Sequence, residues 1–146
     1  MILVDAGPLV ALVDASDQHH RACLGALRSI REPLGTVWPA VSEAMDLLQD
    51  VPRAQQAIFE MIERRAVRLL ELDESDVPRM RELMVRYASR AMGVRDAALV
   101  RVAEREGLST LFTVDPGHFE AYRLHGRKPI RLIPEAKGRP SRHHNI

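Results

Sequence analysis

Hydrophobic residues in this chain fall into two patterns: short unbroken apolar runs, and apolar positions recurring every three or four residues. The runs predict buried strands and the recurrences predict helices with one inward face. Strands are expected over residues 2–5, 35–38, 67–72 and 110–114, with an edge strand over 130–133. Helices are expected over residues 9–13, 18–31, 39–49, 52–65, 75–90 and 94–106, with a helical turn over 116–122. Inward faces read as Cys23, Leu24, Leu27 and Ile30, then Ala40, Val41, Ala44 and Leu47, then Ala54, Ile58, Met61 and Ile62. Two later helices present Val77, Met80, Leu83, Met84 and Tyr87, and Ala97, Leu99, Val100 and Ala103.

The boundaries have local chemical reasons. Asp17, and Asp73 or Ser75, carry side chains that accept from the free N–H groups of a helix start. Pro39 and Pro52 occupy first helical positions, where a fixed φ helps and the missing N–H is not needed. Gly107 stands where a helix closes in the left-handed conformation. Gly7–Pro8 and Pro33–Gly35 read as breaks. Strands alternating with helices predict a parallel sheet covered on both faces, an α/β fold. There is no internal repeat and no linker: residues 1–134 read as one domain and 135–146 as a basic tail. At 146 residues, such a domain buries about two thirds of its unfolded surface.

The net charge of +1 hides an asymmetry. Residues 123–146 carry seven cations (Arg123, Arg127, Lys128, Arg131, Lys137, Arg139 and Arg142) against one acid, Glu135, leaving residues 1–122 with 14 cations and 19 acids. An acidic body therefore ends in a cationic tail, which can attract a polyanion or simply be solvated. The single cysteine, Cys23, excludes an internal disulfide and a cysteine zinc site, and its helical spacing with Leu27 and Ile30 points to packing. No basic leader and no long apolar run are present, so the expected compartment is the cytoplasm, with no membrane contact.

Four acids stand apart from the rest. Asp5 ends the run Ile2-Leu3-Val4, and Asp115 ends Leu111-Phe112-Thr113-Val114. Groups at the carboxyl ends of parallel strands face the crevice where α/β sheets bind ligands. Glu43 shares a helix stripe with Ala40 and Leu47, and Asp96 lies in the first turn of its helix. At about 5 Å spacing and an effective dielectric near 20, each carboxylate pair repels by roughly 3 kcal/mol. The expected neutraliser is a divalent cation held by hard oxygen donors, Mg²⁺ or Mn²⁺. Thr113, two residues before Asp115, reads either as a hydrogen-bond partner of a carboxylate or as an ordinary strand residue.

These residues resemble the PIN-domain nucleases, most closely the VapC-like toxins of bacterial toxin–antitoxin pairs. The resemblance rests on Val4-Asp5-Ala6-Gly7-Pro8-Leu9-Val10-Ala11-Leu12-Val13-Asp14, on Asp17-Gln18-His19-His20 and on Pro39-Ala40-Val41-Ser42-Glu43-Ala44. It continues through Arg95-Asp96-Ala97-Ala98-Leu99-Val100 and Thr113-Val114-Asp115-Pro116-Gly117-His118-Phe119, covering about residues 2–133. It implies a three-layer α/β/α sandwich with a five-stranded parallel sheet, and Mg²⁺- or Mn²⁺-dependent hydrolysis of RNA. Asp5, Glu43 and Asp96 then correspond to the core metal ligands and catalytic acids, with Asp115 as the fourth, direct or through water. A cognate antitoxin that lays a helix in a groove over residues 39–65, and a homodimer, are implied partners. The chain departs from the pattern at Gly93, where relatives often carry another acid, and at Ala6, where Thr or Ser is common. The first departure bears on whether a second ion binds.

Other polar residues read more plainly. Asp14 and Asp17 are helix-end residues, and His19 and His20 surface residues. His118, three residues after Asp115, reads as a contact to substrate phosphate or, more simply, as an exposed loop histidine, and His143 and His144 belong to the tail. Arg95 reads equally as a phosphate contact and as a surface arginine. Six aromatic residues, counting Trp38, are too few for a base-stacking platform. Two rival functions stand beside the nuclease. One is a catalytically degenerate PIN-like domain that binds RNA or a protein partner. The other is a receiver-type signalling module, which needs adjacent acids and a suitably placed lysine; the only lysines are Lys128 and Lys137.

Overall fold

Alternating side chains of the central strands divide the core in two. In β1 (Ile2–Val4) Ile2 and Val4 pack on one side of the sheet and Leu3 on the other. The computed structural model describes residues 1–135. The first core joins β1 to α1 (Ala6–Val13), α2 (His20–Ser29), α3 (Trp38–Leu47) and α4 (Pro52–Glu63). Between these helices the chain lays down β2 (Leu34–Thr36), and after α4 it forms β3 (Val67–Leu69). The second core receives α5 (Val77–Arg86) and α6 (Val94–Glu106), followed by β4 (Thr110–Phe112) and α7 (Pro116–Phe119). A small antiparallel hairpin, β5 (Arg123–Leu124) with β6 (Lys128–Pro129), precedes the last strand, β7 (Arg131–Ile133).

The five long-range strands pair in parallel in the order β3-β2-β1-β4-β7. This is the expected three-layer sandwich around a five-stranded parallel sheet. Successive strands build outward from β1 to β2 and β3, then the chain crosses to the other side of β1 to lay down β4. The direction of winding therefore reverses between β1 and β4. At such a reversal the loops leaving the two strands part, and a crevice opens at their carboxyl ends.

Several elements depart from expectation. Helix α1 starts at Ala6 rather than residue 9, because Asp5 caps it and Pro8 is tolerated inside a first turn. Gly7 is required there: a Cβ would meet Val114 Cγ2 at 2.3 Å, so only glycine lets the helix start approach the exit of β4. The helix expected over 75–90 is three pieces. Asp73 and Asp76 cap a 3₁₀ turn over Glu74–Asp76, α5 ends at Arg86, and a second 3₁₀ turn over Ala88–Arg90 closes on Ala91 at φ 52°. Trp38, expected to end a strand, opens α3 and is exposed. Leu47 and Val77, expected inward, are exposed, whereas Leu48 fills the core position. The hairpin has no counterpart in the apolar pattern; left-handed His125 and Gly126 make its turn.

The helix over 94–106 matches expectation, with Gly107 closing it at φ 67°. Cys23 is fully buried, and burial pushes its thiol up to about 11, in keeping with packing. His20 is half-buried, and its Nδ1 bonds the Ala11 carbonyl at 2.6 Å rather than facing solvent. Among the described residues no helix is long and apolar enough to cross a membrane. The expected tail beyond residue 135, with His143 and His144, lies outside the described residues.

Candidate functional site

Asp5 leaves β1 at the point where the winding reverses. Its backbone N–H continues the ladder to Phe112 of β4, and its side chain turns to cap α1, accepting from the Ala6 N–H at 2.8 Å. The same carboxylate accepts from the Thr113 hydroxyl at 3.0 Å, so that threonine is a carboxylate partner rather than only a strand residue. Asp5 is buried, and burial raises its pKa above the ordinary carboxylate value even though Arg95, the Ala6 N–H and Thr113 all favour the charged form.

Asp96 enters from the opposite core. It is the third residue of α6 and is buried. Tyr122 donates its hydroxyl to Asp96 Oδ2 at 2.7 Å, and His118 Nε2 lies 2.6 Å from the same oxygen. His118 is thus half-buried against an acid and not an exposed loop residue. Burial, then the bond to Asp96, push the Tyr122 hydroxyl well above its usual range, so it serves as a donor. Edge-on packing against Tyr87 at 4.9 Å and Phe119 at 5.5 Å fixes the Tyr122 ring. Three of the few aromatics thus hold an acid in place, while Trp38 and Phe59 are exposed.

Arg95 ties these acids to the third. Its Nε donates to Asp96 Oδ1 at 3.1 Å and lies 3.3 Å from Asp5 Oδ1; Nη2 donates to Asp96 Oδ1 at 3.0 Å. Nη1 bonds Glu43 Oε2, so one guanidinium contacts three carboxylates from β1, α3 and α6. Glu43 is half-buried on α3, whose inward residues Ala40, Val41 and Ala44 anchor the helix against both cores. The cluster opens on a cavity of about 450 Å³ bordered by Ser42, Glu43, Asp46, Gly93, Arg95 and His118.

Asp115 is placed differently. It stands at the start of α7, exposed, and its backbone N–H donates to the Thr113 hydroxyl at 3.1 Å. Its carboxylate takes no part in the Arg95 cluster. The structure therefore gathers Asp5, Glu43 and Asp96 at one point and sets Asp115 beside it through Thr113.

The donor types suit a hard divalent cation: three carboxylates from separate elements meet at the Arg95 guanidinium, and a carboxylate oxygen accepts more than one bond. As the side chains stand, no three acidic, histidine or cysteine groups among the described residues form a ready metal cluster, and Arg95 occupies the centre. Arg95, Tyr122 and His118 carry the site in ways the linear pattern does not reveal. The adjacency of Arg95 to Asp96 is its only signal, and Tyr122 gives none beyond being a tyrosine close after Asp115.

Comparisons with known proteins bear on the family and the fold. The family model described as PIN domain matches residues 2–124. Over 136 residues the chain is 26% identical to ribonuclease VapC26 of Mycobacterium tuberculosis, an alignment covering 91% of this chain and 100% of that protein. The fold is similar to the crystal structure of VapC20 of Mycobacterium tuberculosis, a sarcin–ricin loop cleaving toxin, with TM-score 0.74 and 22% identity over 81% of this chain and 92% of that one. It is also similar to a chain of a toxin–antitoxin complex from Klebsiella pneumoniae, with TM-score 0.64 and 17% identity over 83% of this chain and 92% of that one.

Proposed function

Because the chain belongs to the PIN-domain family, we propose that it is a metal-dependent endoribonuclease, the toxin of a toxin–antitoxin pair acting in the cytoplasm. The observation that carries this reading is the meeting of Asp5, Glu43 and Asp96 at the winding reversal of a parallel sheet. Similarity to a ribonuclease along nearly the whole chain supports it.

Asp5, Glu43 and Asp96 would hold Mg²⁺ or Mn²⁺, with Asp115 as a fourth acid at the mouth. When bound, such an ion supplies an activated water and neutralises charge on the phosphate and the leaving oxygen. The chain's own residues prepare that site. Thr113 and the Ala6 N–H hold the Asp5 carboxylate toward the crevice, and Tyr122 with His118 does the same for Asp96. The open cavity beside Glu43, Gly93 and His118 admits an RNA phosphate to the acids.

Partners are read from two exposed apolar faces. Leu47, Val51 and Phe59 are exposed apolar residues on and between α3 and α4, which suits an apolar antitoxin helix lying there. A second apolar face, with Val77, Met80, Met84 and Val85 on α5, suits the homodimer expected of relatives.

A second reading has its own observation. Arg95 fills the acid cluster, as it would in a degenerate domain that binds RNA or a protein without cutting it. Incubating the purified chain with RNA in Mn²⁺, in Mg²⁺ and in chelator separates the two. The nuclease reading expects cleavage with either ion, lost in chelator and in Asp96→Asn; RNA bound but uncut under all conditions would favour the degenerate domain.

A further inference from the structure

We propose that Arg95 is a built-in counter-cation that competes with the divalent ion for Asp5, Glu43 and Asp96, so that metal loading requires its guanidinium to leave. This rests on the metal-dependent reading above and concerns how that site is regulated. The argument starts from contacts. Arg95 uses Nε, Nη1 and Nη2 on three carboxylates contributed by β1, α3 and α6. These are the oxygens a metal would need, and Asp96 Oδ2 is already taken by Tyr122 and His118. A guanidinium about 3 Å from Asp5 Oδ1 and Asp96 Oδ1 occupies the volume between them. An octahedral Mg²⁺ site needs its oxygens nearer, at about 2.1 Å, and a second cation there is repelled. The two cations are therefore mutually exclusive.

The exchange is feasible because Arg95 is anchored on the outer side of the cluster. It is the second residue of α6, and its side chain borders the open cavity of about 450 Å³. Gly93, which borders the same cavity, carries no side chain, and even a Cβ there would have nothing within 4 Å. The movement the proposal requires is a rotation of the Arg95 side chain about its own bonds toward that cavity. Without metal, Arg95 offsets the repulsion of three carboxylates, two of them buried. With metal, that task passes to the ion.

Competition has a definite thermodynamic signature. If the Arg95-out state holds about one molecule in ten, apparent metal affinity is about tenfold weaker than intrinsic affinity. Replacing Arg95 by Met removes the competing charge and keeps an unbranched side chain in its place. Mn²⁺ binding to wild type and to Arg95→Met is measured by calorimetry, with melting in chelator and in Mn²⁺ alongside. The proposal expects Arg95→Met to bind Mn²⁺ about tenfold tighter, to melt lower than wild type in chelator, and to regain that loss in Mn²⁺. Equal or weaker Mn²⁺ affinity in Arg95→Met overturns the competition while leaving the nuclease reading intact. Failure of both proteins to bind Mn²⁺ removes the metal reading itself, and the competition with it. If Arg95→Met does not fold, the Arg95 Nε–H resonance of ¹⁵N-labelled wild type decides. Saturating Mg²⁺ should shift that resonance and speed its exchange with water, whereas an unchanged resonance overturns the proposal.

Discussion

The Thr113 hydroxyl donates to Asp5 Oδ2 at 3.0 Å, joining the carboxyl ends of β1 and β4 across the point where the sheet reverses its winding. The hydroxyl oxygen in turn accepts the Asp115 N–H at 3.1 Å. One buried side chain thus aligns the first acid and the loop that carries the fourth.

Thr113→Val keeps the shape and removes both bonds. It leaves a buried carboxylate oxygen short of a donor and an N–H short of an acceptor, at a cost of roughly 2 kcal/mol. Urea unfolding should register that loss, and Mn²⁺ affinity should fall with it. Stability equal to wild type would mean that water replaces the hydroxyl and that the alignment is not made by Thr113.

Tyr122→Phe tests the support of Asp96. The ring stays packed against Tyr87 and Phe119, so only the 2.7 Å bond to Oδ2 is lost. Removal of such an outer partner weakens metal binding by about tenfold or more. Calorimetric titration with Mn²⁺ measures it; unaltered affinity would show that His118 alone orients the carboxylate.

Gly93→Asp adds the acid that the family resemblance leads one to expect there. Gly93 is the N-cap of α6 with extended φ −94° and ψ 179°, and a Cβ there would have nothing within 4 Å. Aspartate is a strong N-cap, so the variant should gain a few tenths of a kcal/mol in stability. It also adds a carboxylate to the cavity, and Mn²⁺ affinity or stoichiometry should rise. A destabilised variant would contradict the open environment described for this position.

Away from the site, Asp76 sets an acid limit on stability. Burial pushes its carboxyl up, but the Asp73 N–H and the guanidiniums of Arg101 and Arg105 outweigh this and hold its pKa at about 2, against 3.8 for an ordinary aspartate. A depressed folded pKa stabilises the native state above the unfolded value, and that contribution is lost as pH falls from about 3.8 toward 2. Asp76→Asn should therefore be less stable by about 2 kcal/mol at neutral pH. The gap to wild type should close across that acid range in a series of urea titrations. A gap that persists at low pH would mean that the loss comes from packing rather than charge.

How much is legible in the sequence depends on the kind of contact. Unbroken apolar runs place β1 and β4, and the apolar spacing with Gly107 places α6, because those signals are local. The strand-end rule leads to Asp5, and helix position leads to Glu43 and Asp96. Cooperation between distant side chains is not legible. Arg95 reads equally as a phosphate contact and as a surface arginine until α3 and β1 arrive beside it, and Tyr122 is an ordinary aromatic until α6 turns Asp96 toward it. Gly7-Pro8 reads as a break because the close approach of Val114 is a tertiary fact. The split of the helix over 75–90 turns on the reciprocal bonds of Asp73 and Asp76, which compete locally with a longer helix.

Diffraction from crystals soaked in Mn²⁺, recorded to bring out the anomalous signal of manganese, tests the acid cluster most directly. The expected map has one strong peak about 2.1 Å from oxygens of Asp5 and Asp96, with Glu43 facing it and the Arg95 guanidinium turned into the cavity. Ordered protein at saturating Mn²⁺, with no peak among these carboxylates and Arg95 still between them, would contradict it.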